Sequence, residues 1–217
     1  MANIQIGAAA GTTLGNPPSG DFYIFIDSDN VNAYTLRDSS GTDTILGSPN
    51  PATLYGLYSQ TVQSATITNT VTETSIVGNG VGSLTVPANF FTVGDSYHGK
   101  IGGVISAQNG DNVTLRIKTG ATVLASTGAI SLSPVTALGW ELELDFTIAA
   151  IGATGTICTN GNFAYNRDTG SLEGFVFQDV QVIDTTASNT LDITVEWGQA
   201  KAQDQIYSAN FVLYKTY

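Results

Sequence analysis

Four features of this chain have residue types and spacing that could do chemistry. His98, in Gly94-Asp-Ser-Tyr-His-Gly99, is its one histidine. As a general base it would need an orienting carboxylate and a nucleophile brought from elsewhere in the chain. Asp95 is near in sequence, but the segment reads as a strand leaving a turn, so His98 is expected to be structural. Glu141, Glu143 and Asp145 stand at i, i+2 and i+4 on one strand face, about 7 Å apart per step. Glycosidase carboxylates can have that spacing, but they also need an aromatic groove on the same face, and none is local. The expectation is a solvated face balanced by Arg116 and Lys118 across the sheet. Asp27-Ser-Asp29-Asn30 with Asp38 has the 1, 3, 12 pattern of a calcium loop. It lacks the glycine at position 6 (Asn32), has Val31 at position 5, and ends on Asp38 instead of a bidentate glutamate. A hairpin turn is the better reading. Cys158, the single cysteine, sits in Thr-Ile-Cys-Thr and is expected to be a small buried strand residue rather than a reactive thiol. No H-E-x-x-H, C-x-x-C, G-x-S-x-G or strand–glycine loop–helix unit is present. The residues therefore assign no catalytic, cofactor-binding or metal-ligating site, and the chain is expected not to be an enzyme.

The elements that would position any such groups are strands throughout. Residues 1–20 are small and polar and close on Gly-Asn-Pro-Pro-Ser-Gly, an extended, turn-rich lead-in. Phe22, Ile24 and Ile26 then alternate with Tyr23 and Phe25; after the Asp/Asn joint, Ala33, Thr35 and Arg37 alternate with Tyr34 and Leu36, up to a stop at Asp38-Ser-Ser-Gly41. This is a hairpin with apolar residues on both faces, too small to be stable alone. Residues 42–46 are a candidate third strand. Gly47-Ser-Pro-Asn-Pro-Ala-Thr-Leu-Tyr-Gly56 reads as a linker.

From Tyr58 onward, strand candidates recur every ten to fifteen residues. They are Gln63–Ser75, Gly82–Pro87, Asp95–Ser106, Asn112–Lys118, Ala121–Ser126, Trp140–Ile148, Gly155–Thr159, Asn162–Asn166, Gly174–Asp184, Leu191–Trp197 and Tyr207–Tyr217. The clearest places Trp140, Leu142, Leu144, Phe146 and Ile148 on one side and Glu141, Glu143, Asp145 and Thr147 on the other. Period-2 alternation with one polar face means antiparallel sheets packed face to face. The fold class is all-β: an antiparallel jelly-roll sandwich over residues 58–217, preceded by a small β-hairpin module within residues 1–57. Trp140 and Trp197 fall in the inward register and are expected in the core rather than as sugar platforms. The last strand is apolar on both faces, which fits a strand internal to a sheet or a subunit interface. Tyr207, Tyr214 and Tyr217 there hint at oligomerisation.

Composition bounds the partners. Only 12% of the 217 residues are charged, against roughly 25% in an average protein. The net charge is −11 with 7 Lys plus Arg and no cluster among them. That argues against nucleic acid and against docking on an anionic membrane. No apolar run approaches the ~20 residues of a membrane span. The first residues have no basic start and no apolar core of signal-peptide length, so no signal peptide is expected.

Two stretches carry a resemblance. Pro17-Pro-Ser-Gly20, Phe22-Tyr-Ile-Phe-Ile-Asp27 and Leu36-Arg-Asp-Ser-Ser-Gly41 resemble a short hairpin module of phage tail-fibre and head-fibre proteins. Gly82-Ser-Leu-Thr-Val-Pro-Ala-Asn89, Val93-Gly-Asp-Ser96, Trp140-Glu-Leu-Glu-Leu144 and Asn189-Thr-Leu-Asp-Ile-Thr194 resemble a domain of virion structural proteins from phages and from large and marine viruses. That domain is similar in type to trimeric tumour necrosis factor-like jelly-roll heads. The resemblance implies a capsid decoration, head-fibre or tail-fibre protein on the virion surface, forming a homotrimer. Residues 1–57 would be its anchoring and stalk region, contacting other virion proteins, and residues 58–217 its head. Host attachment through a surface glycan or receptor is the implied role of the head. The resemblance transfers no cofactor and no functional residue. The competing reading from another class is a carbohydrate-binding module of a secreted protein, which would present an exposed Trp or Tyr groove. A third is a glycosidase built on Glu141 and Glu143.

Overall fold

The computed structural model describes residues 4–9, 15–19, 21–27, 33–47 and 57–217. The chain divides into two compact units, Met1–Tyr55 and Gly56–Tyr217. Among the described residues there is no helix, and none long and apolar enough to cross a membrane.

The smaller unit is more than a hairpin. Strands β1 (Ile4–Ala9), β2 (Phe22–Asp27), β3 (Ala33–Arg37) and β4 (Asp43–Gly47) form one sheet in sequence order. The candidate third strand is present as β4, but the lead-in also contributes β1, which pairs parallel with β2. Its pattern, Ile-Gln-Ile-Gly-Ala-Ala, has too few bulky residues to announce a strand. One face is built by register: Phe25 lies opposite Thr35, and Arg37 opposite Asp43. Phe25 and Thr35 are buried, the Arg37 guanidinium lies 5.5 Å from the Phe25 ring centroid, and Arg37 grips Asp43 through two 2.6 Å hydrogen bonds. A bidentate pair stacked on an aromatic face is a use for which lysine cannot substitute. The β3–β4 turn is closed by Asp38, whose carboxylate accepts from the Ser40 hydroxyl at 2.6 Å and from the Ser40 and Thr42 amides at 2.9 Å each. Gly41 supplies the positive φ (87°). Residues 28–32, the joint of the calcium-loop reading, lie outside the described residues, as do 48–56 of the linker.

The larger unit is an antiparallel sandwich. Its first sheet runs β16 (Leu172–Ile183), β15 (Gly155–Asn166), β14 (Val135–Ala150), β10 (Ser96–Ala107), β18 (Gln205–Lys215), β5 (Tyr58–Gln60), β8 (Gly80–Gly82), with β6 (Ile67–Thr68) also on β18. Its second sheet runs β12 (Thr122–Ser126), β11 (Asn112–Thr119), β17 (Asn189–Trp197), β7 (Thr74–Ser75), with β13 (Ile130–Ser131) on β11 and β9 (Thr85–Val86) on β17. The chain changes sheet at every step from β6 to β11, and again between β13 and β14, β16 and β17, and β17 and β18. Its first and last strands, β5 and β18, are neighbours.

The expected alternation sets the core. Leu142, Leu144 and Ile148 of β14, Ile193 and Val195 of β17 and Leu115 and Ile117 of β11 are fully buried. Each such side chain gains roughly 1.5–3 kcal/mol over exposure. Trp140 and Trp197 are buried too, their indole N–H groups donating to the carbonyls of Tyr207 (3.1 Å) and Ile67 (3.2 Å). The last strand is internal, with β10 on one side and β5 on the other.

Three strand readings need correction. Gly82–Pro87 is broken at Ser83-Leu84, leaving β8 on β5 and β9 on β17. The Thr-rich run Gln63–Ser75 forms only the two-residue pieces β6 and β7. Asn69 turns left-handed there (φ 49°), and threonine propensity alone does not hold a strand without an apolar face. Conversely, Gly155–Thr159 and Asn162–Asn166 are one strand. The Asn160-Gly161 step, which looks like a turn, runs straight because the ring of Phe177 on β16 lies over Gly161.

Candidate functional site

The outer face of the first sheet carries the charged ladder. Register sets His98 opposite Asp145 and Lys100 opposite Glu143. His98 Nδ1 is 2.8 Å from Asp145 Oδ1, and the imidazole sits 5.2 Å from the Tyr214 ring. Lys100 Nζ reaches Glu141 at 2.8 Å and Glu143 at 3.1 Å, and these bonds raise its pKa. Arg116 and Lys118 therefore do not balance these carboxylates. They belong to β11 in the second sheet, where Arg116 pairs with Glu196 (2.7 Å) and Lys118 with Glu73 (2.7 Å). Hydrogen bonds from Lys118 and Thr194 hold Glu73 below the usual glutamate pKa, against its partial burial. Glu141 and Glu143 are about half exposed on an open strand surface (49% and 43%) and clasp one ammonium group. No hydroxyl or thiol is bonded to His98 among the described residues, so the geometry assembles no nucleophile–base pair. Nor, among them, do three or more metal-ligating side chains converge.

Cys158 is exposed, contrary to expectation. Ile157 and Thr159 take the inward positions of β15, so register puts the thiol on the outer face, opposite Thr147 and Val180. The outward residues of β15 and β16 carry no charge, but they adjoin the ladder of β14, where Asp145 lies opposite Asn160 and Glu143 opposite Asn162. The outward positions of β15 are Thr156, Cys158, Asn160, Asn162, Ala164 and Asn166; those of β16 are Leu172, Gly174, Val176, Gln178, Val180 and Val182. Within this surface Leu172 (68%), Val176 (82%), Val180 (62%) and Val182 (58%) stand out in solvent along one strand. The row is interrupted by Gly174 and Gln178, and only Val180 and Val182 are successive outward positions.

At one edge of the sandwich, three charged groups close the β10–β11 turn against the β17–β18 loop. Lys201 Nζ donates to Asp111 Oδ1; the backbone N–H of Asp204 donates to the carbonyl of Lys201 (3.3 Å). Asp111 and Asp204 are both buried, and Asp204 Oδ1 has no hydrogen-bond partner. Burial, then the neighbouring Asp111, push Asp204 up to about 6. Asp111 moves the other way: burial opposes it, but hydrogen bonds from Lys201 and Asp204 lower it.

Between the sheets lies a cavity of about 260 Å³. Tyr97, Phe146 and Leu213 form its wall from the first sheet, and Leu124 and Leu191 from the second. Leu84, Val86 and the exposed Phe90 (64%) stand at its rim. Its polar groups are already bonded. Lys215 Nζ lies 2.6 Å from the buried Asp95 carboxylate, which also accepts from the Thr92 amide (3.0 Å) and hydroxyl (2.8 Å). Asn189 accepts from Thr119 and donates to the Asp184 and Ala187 carbonyls. The Thr85 hydroxyl bonds that of Thr190 at 2.8 Å. Burial and Asp95 push the Tyr97 phenol up to about 12, so it stays neutral. None of this was legible beforehand, because cavity walls are inward strand residues and look like any other core residues in sequence.

No family model matches the chain, and no curated protein matches it. Among solved structures, peanut lectin with a 9mer peptide covers 67% of this chain and 78% of its own, at 9% identity and a TM-score of 0.32, a likeness that bears on neither topology nor function.

Proposed function

We propose that the chain is a non-catalytic structural protein of a virion surface, a homotrimeric fibre, spike or decoration protein. Residues 1–57 attach it to other particle proteins, and the sandwich of residues 58–217 is the exposed head, with host attachment as its role. The observation that carries the reading is the uncharged, aliphatic outer face of β15 and β16. In a chain of net charge −11, copies repel one another nearly everywhere. A two-strand surface without a charge, bearing Leu172, Val176, Val180 and Val182, is where they can approach and gain apolar burial. The two-unit layout and the resemblance of residues 17–46 and 58–217 to fibre-type proteins support the same assignment. The carbohydrate-module alternative loses its tryptophan platform, since Trp140 and Trp197 are both in the core, and would have to rest on exposed tyrosines such as Tyr217. Cryo-electron microscopy of the particle tests the proposal. Three copies around a common axis, with the first unit at the shell or tail and the sandwich outward, are expected. Single copies, or particles without the chain, would overturn it.

A further inference from the structure

We infer that the cavity between the two sheets is a binding site for a small, uncharged, predominantly apolar molecule of about ten non-hydrogen atoms. The inference does not depend on trimerisation or on a particle.

Size sets the scale. Cavities of about 150 Å³ lined by aliphatic and aromatic side chains stay dry and admit benzene. A volume of about 260 Å³ therefore has room for a naphthalene- or octanol-sized molecule. The walls offer Tyr97 and Phe146, whose rings stack at 4.8 Å, together with Leu124, Leu191 and Leu213. Protein interiors are otherwise close-packed, so an apolar space of this size forfeits contacts that a ligand would restore.

Charge sets the class. Lys215 is the cation at the cavity, and Asp95 already neutralises it at 2.6 Å. A carboxylate ligand would have to displace Asp95 or sit beside it, leaving an uncompensated negative charge near the core of an acidic protein. A cationic ligand would face Lys215. The Thr85 hydroxyl is bonded to that of Thr190, Thr119 to Asn189, and Asn189 to backbone carbonyls, so they add no directional anchor. Selection must come from size, shape and lack of charge.

Calorimetric titration of the full chain with 1-octanol and with octanoate tests this. Saturable binding of octanol is expected, with a Kd on the order of 0.1 mM, and octanoate is expected at least tenfold weaker. Val86→Phe and Leu84→Phe, two rim substitutions that project bulk into the space, should each weaken octanol at least tenfold while the melting temperature is kept or raised. Val180→Ser, on the exposed valine row, should leave octanol binding unchanged and so separates the cavity from surface adsorption. Absence of saturable binding up to the solubility limit of octanol would overturn the inference. So would equal affinity for octanoate, or loss of binding in Val180→Ser with retention in both rim variants.

Discussion

Asp204 shows how a single residue can set the pH response of this fold. Its native carboxyl titrates near 6, above its unfolded value, so between about pH 4 and 6 the folded state holds a proton the unfolded state has lost. This term makes stability fall as pH rises through that window. Asp111 carries the opposite sign: its native pKa is lowered, so its contribution is present at neutral pH and is lost as pH falls below the unfolded aspartate value. Asp204→Asn keeps the shape and offers Asp111 an N–H donor without the charge. It should stabilise the protein at pH 7 by about 2 kcal/mol and remove most of the pH 4–6 slope, as chemical denaturation across pH would measure. Cys158 gives a second outcome at this scale. Single chains released by Val176→Lys with Val180→Lys should react stoichiometrically with a maleimide within minutes, whereas association through the β15–β16 face would shield the thiol and a core cysteine would need unfolding. Sequence placed this thiol in the wrong register because a small residue between Ile157 and Thr159 is equally plausible on either face; the long inward side chains around it decide.

At the scale of elements, the strongly alternating strands β11, β14 and β17 were legible because one polar and one apolar face leave a single register that buries the core. What escaped depended on partners distant in sequence. Gly161 looks like a turn residue, yet a Cβ there would lie 2.3 Å from the Phe177 ring, sixteen residues on. The aromatic side chain fills the space the glycine leaves and keeps β15 straight. Phe177→Ala should cost about 3 kcal/mol in denaturant unfolding. Gly103 marks the register shift between β10 and β18, where a Cβ would meet the Tyr207 carbonyl oxygen at 2.0 Å. Gly103→Ala should cost about 2–3 kcal/mol as the strands part. Gly139→Ala, whose nearest neighbour is Asn166 Nδ2 at 3.9 Å, should change stability by under about 0.5 kcal/mol. The charged ladder was half legible: one solvated face was apparent, but its partner strand was not. Only the pairing of β10 with β14 assigns Lys100 and His98, rather than Arg116 and Lys118, to those carboxylates.

For the whole molecule, composition was the most informative feature. Few charges, mostly negative, over a chain whose regular elements among the described residues are all strands leave surface that must be kept apart or covered. The β15–β16 face is the part that could not be read ahead. Val176, Val180 and Val182 look like core residues until the register turns them to solvent. If copies meet there, Val176→Lys with Val180→Lys should release single chains, while far-ultraviolet circular dichroism stays that of the native sandwich. Light scattering coupled to size exclusion of the full chain at about 10 µM measures the claim most directly, since the proposed function stands on self-association. The expected mass is three times the 22.6 kDa chain; a single species of 22.6 kDa would contradict it.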